Sequence, residues 1–392
     1  MRLSDRVLRL KESATMAVTG RAKALQASGV DVISFGAGQP DFATPRHIIQ
    51  AAQKALDEGH TGYAVPPSGL AATKQAVCDK LRARNNLEYD PSQIIITVGG
   101  KEALFLAFLA MLNEGDEVVL PAPYWVSFPE QISLAGGKPV VVNGEERHGF
   151  RMTPTQLADA ITERTRAVVL NYPSNPTGHS YSPAQLRALA DVLAGRDIIV
   201  LADEMYDQLV YGEHEHVSWA TLSEETYGKT LTLNAVSKTY AMTGWRLGYA
   251  AGPTDLIKAM AKLQSQSTNG TVNFCQHGLV AALNGDQKCV EEMRLEYDRR
   301  RKIMYAGLCA LDGVSCVEPT GAFYCFPNVS ATYARLGVQS SVEFAEKLLE
   351  ERHVAVVPGV AFGSDHCVRL CYAVNEERIR EGLSRLGKFL GV

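Results

Sequence analysis

Ile94-Ile95-Ile96-Thr97-Val98-Gly99-Gly100-Lys101 is followed by Glu102 and an almost wholly apolar stretch to Leu112. Five β-branched residues in succession, with no polar alternation, read as a strand buried on both faces, and 102–112 reads as a helix. The paired glycines turn the chain between them. The same unit recurs outward. Short β-branched runs at 117–120, 139–142, 167–170, 198–202 and 230–233 alternate with amphipathic stretches such as 183–193. Strands buried on both faces and separated by helices predict an α/β fold with a mainly parallel sheet.

The C-terminal part differs. A charged helix is expected over 287–311, then strands at 322–326, 354–357 and 367–372, with helices at 342–351 and 376–390. That mixture predicts a smaller α+β unit beginning near 290. A helix is also expected at 17–28, ahead of the turn-rich GAGQPDFATP. The expected division is a large α/β domain over 46–290 and a small domain made of 1–45 and 291–392. Pattern alone leaves the placement of the first 45 residues open.

Composition narrows the function. With 392 residues, about 150 per domain gives one large or two medium domains. Acidic residues outnumber basic ones by 43 to 39, for a formal charge of −4. This near-balance argues against a nucleic-acid or acidic-membrane partner, either of which calls for a basic surface. At 46% hydrophobic and 21% charged, the chain has ample material for a core. The opening MRLSDRVLRLKES lacks an apolar segment, so no secretory leader is expected, and the longest apolar run, ten residues at 103–112, is too short to span a bilayer. Eight cysteines without a CxxC pair read as reduced thiols of a cytoplasmic protein.

Several common sites fail on spacing. Gly36-Ala37-Gly38 starts like a dinucleotide fingerprint, but Asp41 stands where the third glycine belongs. Gly100-Lys101 resembles the end of a P-loop, but Ile95 and Glu102 occupy the other required positions. No GxSxG is present. Glu213-His214-Glu215-His216 fits an exposed turn better than a metal site, so no metal is expected.

Four segments remain, each placing unusual residues beyond a strand, where ligands collect in parallel α/β sheets. Val98-Gly99-Gly100-Lys101 opens a helix whose N–H groups suit an anion. Asn171-Tyr172-Pro173-Ser174-Asn175-Pro176-Thr177-Gly178 reads equally as a rigid turn. Ala202-Asp203-Glu204-Met205-Tyr206 ends a strand with a carboxylate. Ser237-Lys238-Thr239-Tyr240-Ala241-Met242-Thr243-Gly244-Trp245-Arg246 sets a lysine among small and aromatic residues, eight positions before an arginine.

Together these segments resemble the fold-type I pyridoxal-phosphate enzymes, specifically the class I aminotransferases. The resemblance runs from KESATMAVT to the final helices, through GAGQPDF, VGGKEALF, PYWVSFPE, NYPSNPTG, ADEMYDQLVY, SKTYAMTGWRLGY, SQST and VRLCYA. These motifs are most similar to the bacterial-type aspartate aminotransferase branch that also includes the prephenate aminotransferases.

The resemblance implies roles residue by residue. Lys238 matches the lysine that holds the aldehyde of pyridoxal 5'-phosphate and then shuttles a proton, which requires a lowered pKa. Asp203 matches the carboxylate paired with the pyridine nitrogen, and Tyr206 and Asn175 match the groups bonded to the ring oxygen. Arg246, with the backbone of Gly100 and Lys101, matches the phosphate clamp. Trp125 matches the aromatic stacked on the ring, although a core aromatic would look the same in sequence. Arg369 matches the arginine that grips the substrate α-carboxylate, assisted by Gly38 N–H and Asn175. Tyr63 matches a tyrosine reaching the neighbouring subunit's phosphate, which implies a homodimer with shared sites. Lys101 matches a residue near the distal carboxylate, with Ser13 and Thr15 close by, and Lys11 one linked to prephenate use. Either lysine reads equally as a surface charge.

Departures from the pattern fall at Ala235, where relatives carry a phosphate-binding hydroxyl, at Ala43 in FATP, at Gly62 before Tyr63, and at Asn269-Gly270 after SQST. The implied activity is a ping-pong transaminase, with aspartate as donor and 2-oxoglutarate as acceptor. Aromatic, prephenate or kynurenine-type donors and a β-lyase remain alternatives on the same scaffold. From other classes, a non-catalytic effector-binding module and a nicotinamide oxidoreductase are the rivals. The broken glycine pattern at 36–41 counts against the second.

Overall fold

The computed structural model describes residues 2–10 and 14–391. Its strands are β1 (Ile33–Ser34), β2 (Ile94–Thr97), β3 (Glu117–Ala122), β4 (Lys138–Asn143), β5 (Thr165–Asn171), β6 (Ile199–Asp203), β7 (Thr230–Ala235), β8 (Gly248–Ala251), β9 (Tyr324–Cys325), β10 (Val354–Ala355), β11 (Val357–Pro358) and β12 (Val368–Cys371). Seven of them form one sheet in the order β2-β8-β7-β6-β5-β3-β4. Pairing is parallel except at β8, which runs antiparallel to both β2 and β7.

The six sheet strands expected from β-branched runs end within two residues of the observed ones, and the helix Pro183–Leu193 coincides with its expectation. Alternate residues feed opposite faces. Val118, Leu120, Val169 and Leu201 join Ala103, Leu106 and Phe108 of the helix Gly99–Met111. Val119, Val168, Leu170 and Val200 instead join Leu186 and Leu189. Burial on both faces is why these strands lack a polar alternation.

β8 and the 354–357 run depart from expectation. β8 was not foreseen, because Gly248-Tyr249-Ala250-Ala251 carries no β-branched residue. It is fully buried and enters the sheet by close backbone approach. A Cβ at Gly248 would lie 2.5 Å from both Gly100 N and Gly99 C. The run 354–357 is two strands rather than one. β10 pairs with β1, and β11 pairs with β12 in a second small sheet of order β11-β12-β9. Around these short strands a separate core gathers Phe35, Tyr324, Phe344, Leu370 and Leu386. The helix Lys288–Cys309 places Val290 in the core beside β2 and β8 and Met304 and Leu308 in this other core.

A buried polar network lies behind the end of β6. Glu204 accepts from Tyr172 Oη (3.1 Å), Ser218 Oγ (2.6 Å) and Trp219 N–H (3.2 Å). The 213–216 segment is therefore not simply an exposed turn. Glu213 and Glu215 face water, but His216 turns inward, 3.0 Å from Glu204 and stacked on Tyr172. Lys80 bonds Asp207 Oδ2 at 2.5 Å and Asn85 Oδ1 at 2.8 Å. Burial disfavours the Lys80 charge, but Asp207 outweighs it and holds the ammonium above its ordinary range. Removing one member of such a pair strands the other charge. Lys80→Met should therefore lower stability by about 3–5 kcal/mol, and Lys80→Met with Asp207→Leu should restore most of it. Urea unfolding curves measure both, and a single variant as stable as the wild type would contradict the pairing.

Candidate active site

The register of the sheet assembles the site. Asn171, Asp203 and Leu233 are neighbours across β5, β6 and β7, so the carboxyl ends of three parallel strands open on one edge. β7 runs into the single turn Val236–Thr239, which carries Lys238. Because β8 is antiparallel, its first residue Gly248 lies opposite both Thr97 and Ala235. That reversal brings Arg246, two residues earlier, to the same edge as Gly99 and Gly100.

These elements enclose a cavity of about 270 Å³. Lys238, Asp203, Tyr206, Asn175, Arg246, Gly100, Lys101, Trp125, Gly38 and Arg369 all line it. Tyr63 does not. It stands on the surface at 81% exposure, its carbonyl 3.5 Å from Asn273 Nδ2. Lys11 and Ser13 lie outside the described residues.

Lys238 reaches across the cavity to donate to Gly38 O at 2.6 Å. Burial is the main cause lowering its pKa to about 8, with Arg369 and Arg246 adding repulsion against the opposing pull of Cys371 and Asp203. Asp203 is also buried, and burial pushes its carboxyl up to about 7 even though Met205 N–H donates to it at 3.3 Å. Asn171 secures this strand end, donating to Asp203 O at 3.2 Å and accepting Asn175 N–H at 2.8 Å. Tyr206 Oη lies 2.9 Å from Tyr324 Oη.

Arg369 is 2% exposed. Its Nη1 donates to Asn175 Oδ1 at 2.8 Å and Nη2 to Gly36 O at 2.7 Å, while Nε is buried without a partner. The guanidinium lies over the rings of Tyr324 (4.7 Å) and Phe362 (5.0 Å). Among the described residues no carboxylate comes within ion-pair distance of it. A buried cation held by neutral groups is a receptor for an anion.

The opposite end is shaped by glycine. Gly99 has φ +74°, and a Cβ on it would meet Arg246 Nη2 at 2.5 Å. A Cβ on Gly100 would meet Met205 Cε at 2.4 Å. Arg246 is itself left-handed at φ 55°, with Nη1 donating to Thr243 O at 2.9 Å. A glycine pair at the start of a 13-residue helix, facing a guanidinium, makes an anion cradle. Ala235 brings no hydroxyl here, but Ser237 and Thr243 line the same cavity. Trp125 is half-buried, edge-on to Phe128, with Lys101 Nζ 4.9 Å above its ring. The donor set fits pyridoxal phosphate: an amine for the aldehyde, a carboxylate for the ring nitrogen, a phenol for the ring oxygen, an indole beside the ring and a glycine cradle for the phosphate.

Sequence reasoning missed three contributors. Asn171 lies within a quoted motif but received no role. Met205 and Tyr324 were read only as parts of strand segments. The proximity of Tyr324 to Tyr206 and Arg369 arises from tertiary packing, and only its aromatic type inside an otherwise apolar run marks it in the sequence.

Residues 30–386 match the family model for aminotransferase class I and II. The aspartate aminotransferase of Bacillus subtilis is 48% identical over 390 residues, covering 100% of this chain and 99% of that protein. The aspartate/prephenate aminotransferase of Cereibacter sphaeroides is 44% identical, covering 99% and 98%. Among solved structures, the aspartate aminotransferase of Thermus thermophilus with maleate superposes with a TM-score of 0.94 at 43% identity, covering 99% of this chain and all of that one. A fold-type I architecture, a cavity furnished for pyridoxal phosphate and full-length likeness to these enzymes agree, and the chain belongs to the class I and II aminotransferases, enzymes that depend on pyridoxal phosphate.

Proposed function

We propose that this enzyme transfers the amino group of L-aspartate to 2-oxoglutarate by a ping-pong route. The observation that carries the reading is a buried, anion-seeking Arg369 sharing one cavity with a buried amine poised near neutral pH. A 2-amino acid presents one carboxylate and one reactive carbon, and the two groups match them.

When bound, pyridoxal phosphate supplies the aldehyde that takes up nitrogen and a ring that accepts the electron pair from the substrate Cα. The chain does the rest. Arg369 holds the α-carboxylate in its fork, with Asn175 fixing the guanidinium. Lys238 Nζ would hold the aldehyde and, once freed, its amine would move the proton between the substrate Cα and the former aldehyde carbon, two bonds away across the nitrogen. A pKa near 8 suits both directions of that transfer. Asp203 would pair with the ring nitrogen and keep it protonated, since a cation beside it would favour the ionised carboxylate that burial alone disfavours. Lys101, which has no carboxylate within ion-pair distance among the described residues, supplies a cation for the second carboxylate of a dicarboxylic substrate.

A second reading rests on a neighbouring cavity of about 670 Å³, which shares Lys101 and Val126 with the cofactor cavity and is lined by Val18, Leu134, Val356 and Val360. Such walls suit an apolar side chain, so aromatic donors or prephenate are its substrates, with Lys11 assisting. We also infer a homodimer. Tyr63 at 81%, Val65 at 77% and Val272 at 50% exposure are apolar surface that a second copy would cover, letting Tyr63 reach the partner's phosphate cradle. The smaller unit, 1–45 with 291–392, would then close over substrate, carrying Gly38 and Arg369. All eight cysteines are free, which supports a reducing cytoplasmic location.

Mixing aspartate with the holoenzyme should change its visible absorbance and release oxaloacetate, and borohydride reduction should leave cofactor mass on the peptide containing Lys238. Unchanged absorbance across a panel of amino acids, together with an unmodified Lys238, would reject the transaminase. Higher kcat/KM for phenylalanine or prephenate than for aspartate would favour the second reading.

Capture of cofactor by the apo-enzyme should accelerate with rising pH. The reactive species is the neutral amine, whose fraction grows up to and through about pH 8. A stopped-flow rate that is flat from about pH 6 to 9 would contradict the lowered pKa of Lys238.

Shared sites predict complementation. Lys238→Ala and Tyr63→Ala proteins, each crippled alone, should regain activity when unfolded together and refolded as hybrids, since one hybrid site carries neither change. Mixtures no more active than the parents would argue that Tyr63 serves no neighbouring subunit.

A further inference from the structure

Tyr324 ends the loop into β9, opposite Cys371 in the register, and is fully buried. Three groups of the site meet on it. Its hydroxyl lies 2.9 Å from that of Tyr206. Its ring lies under the Arg369 guanidinium, 4.7 Å from centroid to Cζ. A Cβ on Gly38 would come within 2.7 Å of its hydroxyl, so only glycine fits that loop position without moving the ring. Nothing assigned above to the cofactor or the substrate belongs to Tyr324.

We propose that Tyr324 is a positioning residue that joins the two halves of the site: its hydroxyl donates to Tyr206 Oη, aiming the Tyr206 proton at the cofactor's ring oxygen, and its ring face holds Arg369 in place for the substrate carboxylate. The inference rests on the pyridoxal-phosphate reading of Tyr206.

The direction of the hydrogen bond follows from proton counting. A phenol has one proton to give. If Tyr206 spends it on the cofactor oxygen, the 2.9 Å contact is satisfied only with Tyr324 as donor. Receiving that bond makes Tyr206 a stronger donor in turn, because successive hydrogen bonds polarise one another. Burial raises both phenols above their ordinary range, so each keeps its proton near neutral pH. The charged and titratable groups facing the pair are Asp203 at the end of β6, Arg369 and Cys371 on β12, and Lys238 and Arg246 across the cavity. The ring contact is separate, a cation held against a π face in a dry site.

Two variants separate the functions. Tyr324→Phe keeps the ring and removes the hydroxyl. In the holoenzyme without substrate, the pH midpoint of the bound cofactor's absorbance change should rise by about half a unit or more, since the ring oxygen loses part of its stabilisation. KM for the amino acid should stay within about twofold while kcat falls several-fold. Tyr324→Leu removes the ring as well, and KM should then rise about tenfold or more. A Tyr324→Phe midpoint equal to that of the wild type would overturn the proposal, as would a raised KM in Tyr324→Phe with the midpoint unmoved. Failure of the underlying reading looks different: wild-type protein that holds no cofactor on Lys238 after borohydride.

Discussion

The structure is organised around keeping three charged groups out of water without letting them cancel one another. Asp203, Lys238 and Arg369 line one small cavity, yet none is ion-paired to another. Charges in such a place are expensive unless hydrogen-bonded, and each is held by neutral partners: a backbone N–H, a carbonyl, an asparagine oxygen. That arrangement leaves every one of them unsatisfied in the particular way that a zwitterionic amino acid and a protonated heterocycle would satisfy. The lowered amine and the raised carboxyl are two faces of one cause, the exclusion of solvent.

Such a cavity requires rigid walls, and the walls come from the sheet. The parallel strands end at a common level because Asn171, Asp203 and Leu233 share a register. The lone antiparallel strand matters as much, because only a reversed β8 can start where β2 and β7 finish. Its Gly248 permits the backbone contact with Gly99 and Gly100, and Arg246 arrives at the anion end by connectivity alone. Behind the sheet edge, Glu204 and the Lys80–Asp207 pair form a buried hydrogen-bonded network next to Asp203 in the chain.

Much of this was legible in the chain. Strands buried on both faces announce themselves by unbroken β-branched runs, so β2 to β7 could be placed from 94–98 outward. The segments holding Lys238, Asp203, Asn175 and Arg246 stood out because each follows such a strand, and the family resemblance singled out the residues within them. The unreadable features have a common origin in tertiary contact. Gly248-Tyr249-Ala250-Ala251 has no strand signature, because its place is decided by close backbone approach rather than by propensity. The split at Val354–Ala355 and Val357–Pro358 depends on which partner each dipeptide meets. The 213–216 run reads as an exposed turn beside Tyr211-Gly212, and only tertiary contact with the buried Glu204 and Tyr172 turns His216 inward.

The two ends of the cavity also differ in how far they can vary. At the anion end, Gly99, Gly100 and Gly248 face Arg246, Met205 and backbone at distances a Cβ could not share, so nearly any substitution there forces its neighbours to move. At the other end, Lys101 stands at the rim, its ammonium over an indole face, beside an apolar cavity more than twice the size of the first. The end beside Arg246 therefore tolerates little change, and the end at Lys101 tolerates more. On the proposed reading, aspartate and aromatic preferences would differ by what fills the space between Lys101 and Val360, with Lys238 moving the same proton for either.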